Sequence, residues 1–416
     1  MSSDPATDLL IVGAGAAGLA TAIFAARRDR RCRVQVFDGA HRLGAKILVS
    51  GGGRCNVTNR VVTASDFHGG DRRIIASVLA AFPAEATSDF FREIGVSLHE
   101  EEEGKLFPDS NRARTVLEAL LAEAARHGVT LVTGRRVTGI RRLDDGFAVM
   151  AGSETMFARR LVLATGGQSL PKTGSDGAGF ALAASLGHSI VPPTPALAPL
   201  VLDGSFHRGL AGVSHPAAIT ISSDTRAVAR VAGSLLWTHF GVSGPAALDA
   251  SRHWHRAALG RAIVRGALSF VPSLDFAGAE GWLLEAVRSR PGATLRTAVA
   301  AWLPVAVAEA LLGALAVDGS VRLAQVTRDE RRRLARALVD WELHVTGSRG
   351  YNYAEATAGG VALDEIHRAT MASRRCPGLH LVGELLDVDG RLGGFNFQWA
   401  WSSAWVAARG IATAFA

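Results

Sequence analysis

Asp8-Leu-Leu-Ile-Val-Gly-Ala-Gly-Ala-Ala-Gly18, followed by an acidic Asp38, is the stretch that decides the fold. Its apolar run at residues 9–12 reads as a buried parallel strand, because a strand covered on both faces shows no polar alternation. Gly13, Gly15 and Gly18 stand at G-x-G-x-x-G spacing. In such a turn the first glycine permits the tight bend, the second lets the backbone approach a pyrophosphate, and the third lets the helix pack on the strand. The pyrophosphate would rest on free N–H groups at the helix start, Ala16 and Ala17 among them, where the dipole favours negative charge. A second strand, at residues 34–37, ends in Asp38, about twenty residues past the turn, where a carboxylate can accept a ribose 2′-hydroxyl. No arginine directly follows Asp38, which suits an unphosphorylated ribose and so FAD or NAD rather than NADP.

The next segment separates these two cofactors. Arg42, Leu43-Gly44 and Lys46 lead into Ser50-Gly-Gly-Gly-Arg-Cys-Asn-Val-Thr-Asn59. Gly51, Gly52 and Gly53 in succession leave backbone N–H groups free to line a phosphate or flavin edge, at a cost in chain entropy that needs a reason. A flexible linker would not gather Arg54, Cys55, Asn56 and Thr58 so tightly. With Ala45-Lys-Ile-Leu-Val-Ser-Gly-Gly-Gly-Arg-Cys-Asn-Val-Thr-Asn59 the chain resembles the bacterial FAD-dependent oxidoreductases of the HI0933-like (BaiN/RdsA) family. The resemblance continues through Gly104-Lys-Leu-Phe-Pro-Asp-Ser110, Ala164-Thr-Gly-Gly167, Leu236-Trp-Thr-His-Phe-Gly-Val-Ser-Gly-Pro245, Ala358-Gly-Gly-Val361, Gly383-Glu-Leu-Leu-Asp-Val-Asp-Gly390 and Gly393-Gly-Phe-Asn-Phe-Gln398. It implies FAD as cofactor and an α/β fold class. The FAD domain would be Rossmann-like, of the two-dinucleotide-binding type with a parallel sheet, and would carry a β-barrel-like insert domain and a small helical insert. Gly174-Ser-Asp-Gly-Ala-Gly179 departs at two positions from the family's usual Gly-Ser-Thr-Gly-Asp-Gly, so Asp176 receives no role.

Composition agrees with a large packed protein. A chain of 416 residues has room for two to three domains, and 48% hydrophobic content with 46 glycines suits α/β packing. Cys32, Cys55 and Cys376 form no CxxC and no paired framework, which points to a reducing compartment and away from disulfide chemistry. Cys55 reads first as a small apolar filler, with a redox role beside the flavin as the alternative. Residues 9–26 form an uncharged stretch about as long as a membrane span, yet the glycine spacing explains them better. Asp4 and Asp8 also lie where a signal peptide carries positive charge. A cytoplasmic location without membrane contact is expected. The net charge of +7 is thin for this length, so no nucleic-acid partner is expected. Lysine occurs only at 46, 105 and 172, inside motif-like segments, where a compact ammonium suits a specific site.

The FAD domain is expected at 1–194 and 357–416, interrupted by a β-rich insert at 195–274, a helical insert at 275–338 and a return of the β-rich part at 339–356. Prolines at 192, 193, 195 and 199 mark the crossing. A helix at 112–126 precedes a strand at 130–132. Val137 heads a hairpin-like pair at 139–142 and 146–150, a region that gives adenine a backbone contact in two-dinucleotide-fold flavoproteins. A parallel strand at 157–163 then ends in Ala164-Thr165-Gly166-Gly167. Near the carboxyl terminus a strand at 380–382 ends in Gly383-Glu384, whose carboxylate suits a ribityl hydroxyl. Gly394 opens a helix beginning near Asn396 and Phe397. Its dipole could stabilise negative charge on the flavin pyrimidine. The arginine-rich run at 328–336 reads as a solvated helix face.

Such chemistry belongs to the flavin, with hydride passing through N5 and the protein supplying orientation and electrostatics. His239 is the candidate residue near a substrate, set against a purely structural histidine. His253 and His255 flank Trp254 at strand spacing and read as surface residues; no metal site is expected. The leading expectation is an FAD-dependent oxidoreductase that reduces a small organic substrate, such as a conjugated alkene, with NAD(P)H as a transient donor. No second G-x-G-x-x-G provides a dedicated nicotinamide domain. An oxygen-using amine oxidase is the second reading, and a non-enzymatic flavin-bearing nucleic-acid-binding protein the third. Oligomeric state is not legible.

Overall fold

The structure, a computed structural model, describes residues 7–224, 226–260 and 262–412; Asp4 and the outer ends of both FAD-domain segments lie outside the described residues. The chain divides into two compact units, Met1–Thr194 with Glu355–Ala416, and Pro195–Ala354.

In the first unit, Thr7–Val12 is buried at Leu9, Leu10, Ile11 and Val12 and is paired on both edges. Val34–Phe37 lies parallel on one side and Glu154–Leu163 parallel on the other. Thr130–Val132 extends the sheet beyond Val34–Phe37, and Leu379–Leu381 extends it beyond Glu154–Leu163, both in parallel. The strand expected at 157–163 is longer than its apolar run. Its residues 154–158 pair antiparallel with Gly146–Ala151, which pairs in turn with Val137–Leu143, whereas residues 158–163 join the parallel sheet. The early half carries Glu154, Thr155 and Arg159 and is largely exposed, so only its buried end reads as a parallel strand.

Helix Ala16–Arg28 is buried from Ala17 through Ala26 and packs against the last helix, Phe395–Ala412. Aromatic rings lock this region: Phe24 meets Trp405 edge-on with centroids 5.2 Å apart, and Phe82 stacks on Trp405 at 5.1 Å. Each such pair adds roughly 0.5–1.5 kcal/mol beyond simple burial. Residues 9–26 are therefore a core strand and core helix. By length and composition alone Arg72–Glu93 could cross a membrane. It is two helices, Arg72–Ala81 and Ala84–Glu93, because Pro83 disfavours helical backbone at Phe82 and lacks the N–H to continue the ladder.

The second unit is built on seven antiparallel strands. Their order is Trp341–Leu343, Val264–Ser269, Ser214–Ser223, Arg226–Thr238, Gly241–Ser243, Leu200–Leu202 and Val345–Ser348. Helix Gly244–Ala258 packs on the long central hairpin. Helices Phe276–Ser289, Leu295–Val299, Val305–Ala314 and Arg328–Val339 follow, sharing a core with Trp237, Leu268 and Phe270. In the arginine-rich helix Leu334, Ala335, Ala337 and Leu338 face that core, while Arg332, Arg333 and Arg336 are exposed.

Candidate functional site

Four of the five parallel strands end in loops that carry the singled-out residues: Val12 before Gly13, Phe37 before Asp38, Leu163 before Ala164, and Leu381 shortly before Gly383. Open α/β sheets bind ligands at this carboxyl edge. Gly13 sits at φ 103°, and its N–H donates to the Phe37 carbonyl at 2.7 Å. A side chain there would run into the Ala164 carbonyl, and one on Gly18 would run into the Gly13 carbonyl. A Cβ on Gly15, by contrast, meets nothing within 4 Å. The helix that starts there has no side-chain cap and no acid in its first turn, so its leading N–H groups at Ala16, Ala17 and Gly18 suit an outside anion.

Asp38 is already oriented by the backbone. Its Oδ2 accepts the Ala14 N–H at 2.7 Å and its Oδ1 the Ala40 N–H at 2.8 Å. A carboxylate offers about four acceptor positions, so each oxygen retains one for a hydroxyl. Arg135 donates its N–H to the Asp38 carbonyl at 2.8 Å, which brings the head of the Val137 strand alongside. Val137 itself is buried opposite Ala151, and Arg42 is exposed. Asp176, which sequence reasoning left without a role, pairs with Arg136 at 2.6 Å in the same neighbourhood.

The glycine cluster begins as a helix, Ala45–Gly53, and unwinds at Ser50 (ψ 148°), Gly51 (φ 54°) and Gly52 (φ 68°). Ser50 stitches the turn, its Oγ donating to the Ile47 carbonyl at 2.7 Å and its carbonyl accepting the Cys55 N–H at 3.0 Å. Gly52 and Gly53 are exposed, and a Cβ on Gly52 meets nothing within 4 Å. Arg54 turns to Glu101, with Nη1 to Oε1 at 2.6 Å, and lies over the Phe107 ring at 4.1 Å. Cys55 has its side chain in the core, and burial pushes its thiol up to about 12. Burial disfavours a thiolate there at neutral pH, which supports the filler reading.

Asn56, with its amide oriented to suit its neighbours, donates to the Thr58 carbonyl at 2.8 Å and accepts the Gly394 N–H at 3.1 Å. This joins the glycine cluster to the start of the last helix. Asn396 directs its whole amide at Gly390, accepting from its N–H at 2.8 Å and donating to its carbonyl at 3.0 Å. Phe397 stacks on Trp401 with centroids 5.6 Å apart. Sequence reasoning missed Gln398. Fully buried, its Oε1 accepts from Thr58 and Thr87 at 2.6 and 2.9 Å, while its Nε2 donates to the Phe82 carbonyl and Ser402, each at 2.9 Å. A glutamine inside an otherwise buried aromatic helix start was the available signal.

Glu384 is held from three sides. Lys46 pairs with its Oε2, while Ser169 Oγ and the Thr357 N–H donate to its Oε1, each at 2.9 Å. Lys46 also donates to Ser169, and Thr357 Oγ1 accepts the Gln168 and Ser169 N–H groups at 2.8 and 3.0 Å. Ser169 and Thr357 were likewise missed; each lies within two residues of a quoted motif. Gly167 leaves no room for a Cβ against Thr357 and Glu384. Thr165, followed by Gly166 at φ 72°, buries its Oγ1 with no hydrogen-bond partner, as does Ser175. Gly383, at φ 71°, takes the Ser403 hydroxyl on its N–H at 3.0 Å.

In the second unit His239 is exposed and packs edge-on against Phe240 at 5.1 Å. His253 and His255 depart from the surface-strand expectation. They lie on helix Gly244–Ala258, started by Pro245 in its first turn, and burial pushes both down to about 4. His255 Nε2 lies 2.7 Å from Ser348 Oγ. No group of three or more His, Cys, Asp or Glu side chains is placed to hold a metal among the described residues.

The first unit thus offers an uncapped helix start, open space beside Gly15 and Gly52, and buried hydroxyls of Thr165 and Ser175 without partners. These features fit a long cofactor that carries a pyrophosphate. Over residues 7–410 the chain matches the HI0933-like protein Rossmann domain. It is 35% identical over 412 residues to a ribosomal RNA dihydrouridine synthase of Escherichia coli, covering 98% of both chains. It is 32% identical over 402 residues to a 3-dehydro-bile acid delta(4,6)-reductase of Clostridium scindens, covering 97% of this chain and 98% of that one. Among solved structures, a quinol fumarate reductase subunit of Escherichia coli superposes with TM-score 0.51 at 15% identity, over 98% of this chain and 70% of that one, a likeness of fold. The chain belongs to the HI0933-like family of FAD-dependent oxidoreductases, with a Rossmann-like α/β domain built on a parallel sheet.

Proposed function

We propose that this enzyme reduces a carbon–carbon double bond conjugated to a carbonyl, with the uracil ring of ribosomal RNA as the first candidate substrate. One observation carries this reading: two relatives of similar identity are named for an RNA dihydrouridine synthase and a bile-acid reductase. Making dihydrouridine saturates the C5–C6 bond of uracil, and a delta(4,6)-reductase saturates bonds conjugated to a ring carbonyl. For each bond saturated, one hydride goes to its end remote from the carbonyl (C6 in uracil) and one proton to its nearer end (C5 in uracil). NAD(P)H would supply the hydride, and NAD(P)+ would leave. Bound FAD supplies the relay of that hydride through N5.

The chain's own residues then divide the work of holding the cofactor. Gly13, Gly15, Ala16, Ala17 and Gly18 present backbone N–H groups to the pyrophosphate, and Asp38 accepts from the adenosine ribose, with Arg42 and Val137 near the adenosine end. Thr165, Gly166, Gly167, Gly383 and Glu384 line the ribityl chain, where Lys46 fixes the Glu384 carboxylate. Ser50 to Asn56 and the helix start at Gly394, Asn396 and Phe397 border the ring. The second unit reads as the barrel-like insert with a helical arm, since its edge strands flank the single residue His344. The location is read as cytoplasmic, from the free cysteines.

The test is anaerobic. FAD-loaded protein is mixed with NADH or NADPH and its flavin absorbance followed. A ribosomal RNA transcript or a 3-oxo-4-ene steroid acid is then added. Bleaching by a pyridine nucleotide, then recovery on adding RNA with a gain of two hydrogens at uridine, is expected. Recovery with the steroid acid alone would select the small-molecule reading. Absence of bleaching, with rapid flavin reduction by an amine, would overturn both in favour of an amine oxidase.

A further inference from the structure

The chain's two tyrosines both fall in Ser348-Arg-Gly-Tyr-Asn-Tyr353, within the second unit. The Arg349 guanidinium lies over the Tyr353 ring, 3.5 Å from its centroid, and over the Phe240 ring at 4.8 Å. His239 meets the same Phe240 edge-on. The backbone here is fixed: Arg349 N–H donates to the Pro199 carbonyl at 2.9 Å, Gly350 N–H to Ser348 Oγ at 3.1 Å, and Tyr353 N–H to the Gly350 carbonyl at 3.1 Å.

A comparison within the molecule shows what is unusual about this arginine. Arg54 also lies over an aromatic ring, but its charge is answered by Glu101. Arg349 has rings against its face and no carboxylate partner among the described residues. A guanidinium stacked on rings keeps its N–H edge for bidentate bonding to an oxyanion, and stacking holds it in place without that anion. Tyr353 is 49% exposed, and His239 is exposed beside the cluster. Aromatic faces next to arginine are how proteins take hold of unstacked nucleotides.

We propose that Arg349, Tyr353, Phe240 and His239 form a substrate-recognition site in which Arg349 binds an oxyanion while Tyr353 stacks on a neighbouring planar ring, the oxyanion being an RNA phosphate. The proposal rests on the reductase reading above and adds the residues that select its substrate. The same oxyanion chemistry would serve the carboxylate of a small enone acid, and the test separates the two sources.

The experiment uses full-length FAD-loaded protein and a fluorescent ribosomal RNA stem-loop. Arg349→Met and Tyr353→Ala are expected to weaken RNA binding roughly tenfold or more, whereas Tyr353→Phe stays within about twofold. Arg349→Lys, which keeps charge but loses the planar fork, falls between. KM for RNA rises while kcat at saturation, flavin absorbance and bleaching by NAD(P)H match the parent. If the parent reduces RNA and both Arg349→Met and Tyr353→Ala bind it unchanged, the site is overturned and the reductase reading stands. If the parent reduces only the steroid acid, the RNA reading fails. A raised KM for that acid in Arg349→Met, absent for its methyl ester, then supports the oxyanion site, and an unchanged KM overturns it. A parent that binds neither anion also overturns it.

Discussion

The amino-terminal turn and the glycine cluster of the first unit look alike in sequence, both being small-residue loops between regular elements, yet they are built on opposite plans. The turn at Gly13–Gly18 is made of backbone. Its glycines are placed by contact with the Ala164 and Gly13 carbonyls, and Asp38 supports it from a distance in the chain by accepting the Ala14 N–H. The cluster around Ser50–Asn56 is held through side chains: Asn56 accepts the Gly394 backbone N–H, Arg54 pairs with Glu101, and Lys46 pairs with Glu384. Polar residues in a glycine-rich motif therefore need not point at the ligand. In the cluster several serve to shape the loop, and the exposed backbone of Gly52 and Gly53 is what remains for a cofactor.

The largest effect that would break this contrast comes from the turn. Gly18→Val forces a side chain into the Gly13 carbonyl, and overpacking of this kind costs about 3 kcal/mol. The expected outcome is a lower melting temperature of the apoprotein together with loss of bound flavin. Gly15→Val adds its side chain to open space, so the apoprotein should melt like the parent while FAD affinity falls at least roughly tenfold. Equal apoprotein melting temperatures for the two variants would show that the turn is not held by these close approaches.

This contrast also explains what was legible. The backbone-built turn has a spacing signature, so Gly13, Gly15, Gly18 and Asp38 could be located from sequence together with the strand-helix-strand order around them. Side-chain networks have none, because their partners are far apart in the chain: Thr58 meets Gln398 across 340 residues and Lys46 meets Glu384 across 338. Ser169, Thr357 and Gln398 went unrecognised for that reason. Asn396 was placed correctly at the start of the last helix, but its amide is committed to Gly390. His253 and His255 misled because i, i+2 spacing suits one face of a strand, whereas Pro245 and the alanines after it set a helix.

Removing side chains from the two regions sharpens the comparison at smaller amplitude. Asp38→Ala leaves the Ala14 and Ala40 N–H groups without their acceptor, worth about 1–3 kcal/mol. Both apoprotein stability and FAD affinity should fall. Asn396→Ala strips both bonds from Gly390 and should cost about 1–2 kcal/mol, with flavin affinity changing only as far as the helix start loosens. A larger affinity loss in Asn396→Ala than in Asp38→Ala, measured by flavin fluorescence titration, would reverse the assignment of which side chains serve the ligand.

Side-chain networks also titrate, which the backbone turn does not. His188 bonds Glu365 Oε2 at 2.9 Å and Ser373 Oγ at 2.8 Å, both buried. Burial pushes His188 below its ordinary 6.5 despite the attraction of Glu365. Burial alone would raise Glu365, but hydrogen bonds from Ser189, Arg375 and His188 outweigh it and hold the carboxyl low. Below pH 6.5 the unfolded chain takes up a proton at His188 that the folded chain resists, and below 4.5 the same holds at Glu365. Stability should therefore fall with acidification, beginning near pH 6.5. His380, pushed down to about 3 by burial, acts in the same direction. Urea midpoints at pH 7.5, 6 and 5 should decline, and less steeply in His188→Gln. A flat profile in the parent would show that these networks do not carry stability.

The smallest effect is expected at Cys55, where the two plans meet. Its backbone belongs to the loop and adopts φ 65°, a conformation that costs a side-chain-bearing residue about 1–2 kcal/mol, while its thiol fills the core. The thiol is pushed up to about 12 by burial, which disfavours the thiolate that nucleophilic or redox chemistry needs near neutral pH. Cys55→Ala should lose about 1 kcal/mol through a small cavity and nothing else. Turnover, flavin spectrum and reduction by pyridine nucleotide should match the parent, and iodoacetamide should leave Cys55 unlabelled in the folded protein while reaching it in urea. Rapid labelling of the native protein, or a Cys55→Ala variant that binds FAD but fails to turn over, would mean that this side chain faces the cofactor and that the cluster, like the turn, is built around its ligand.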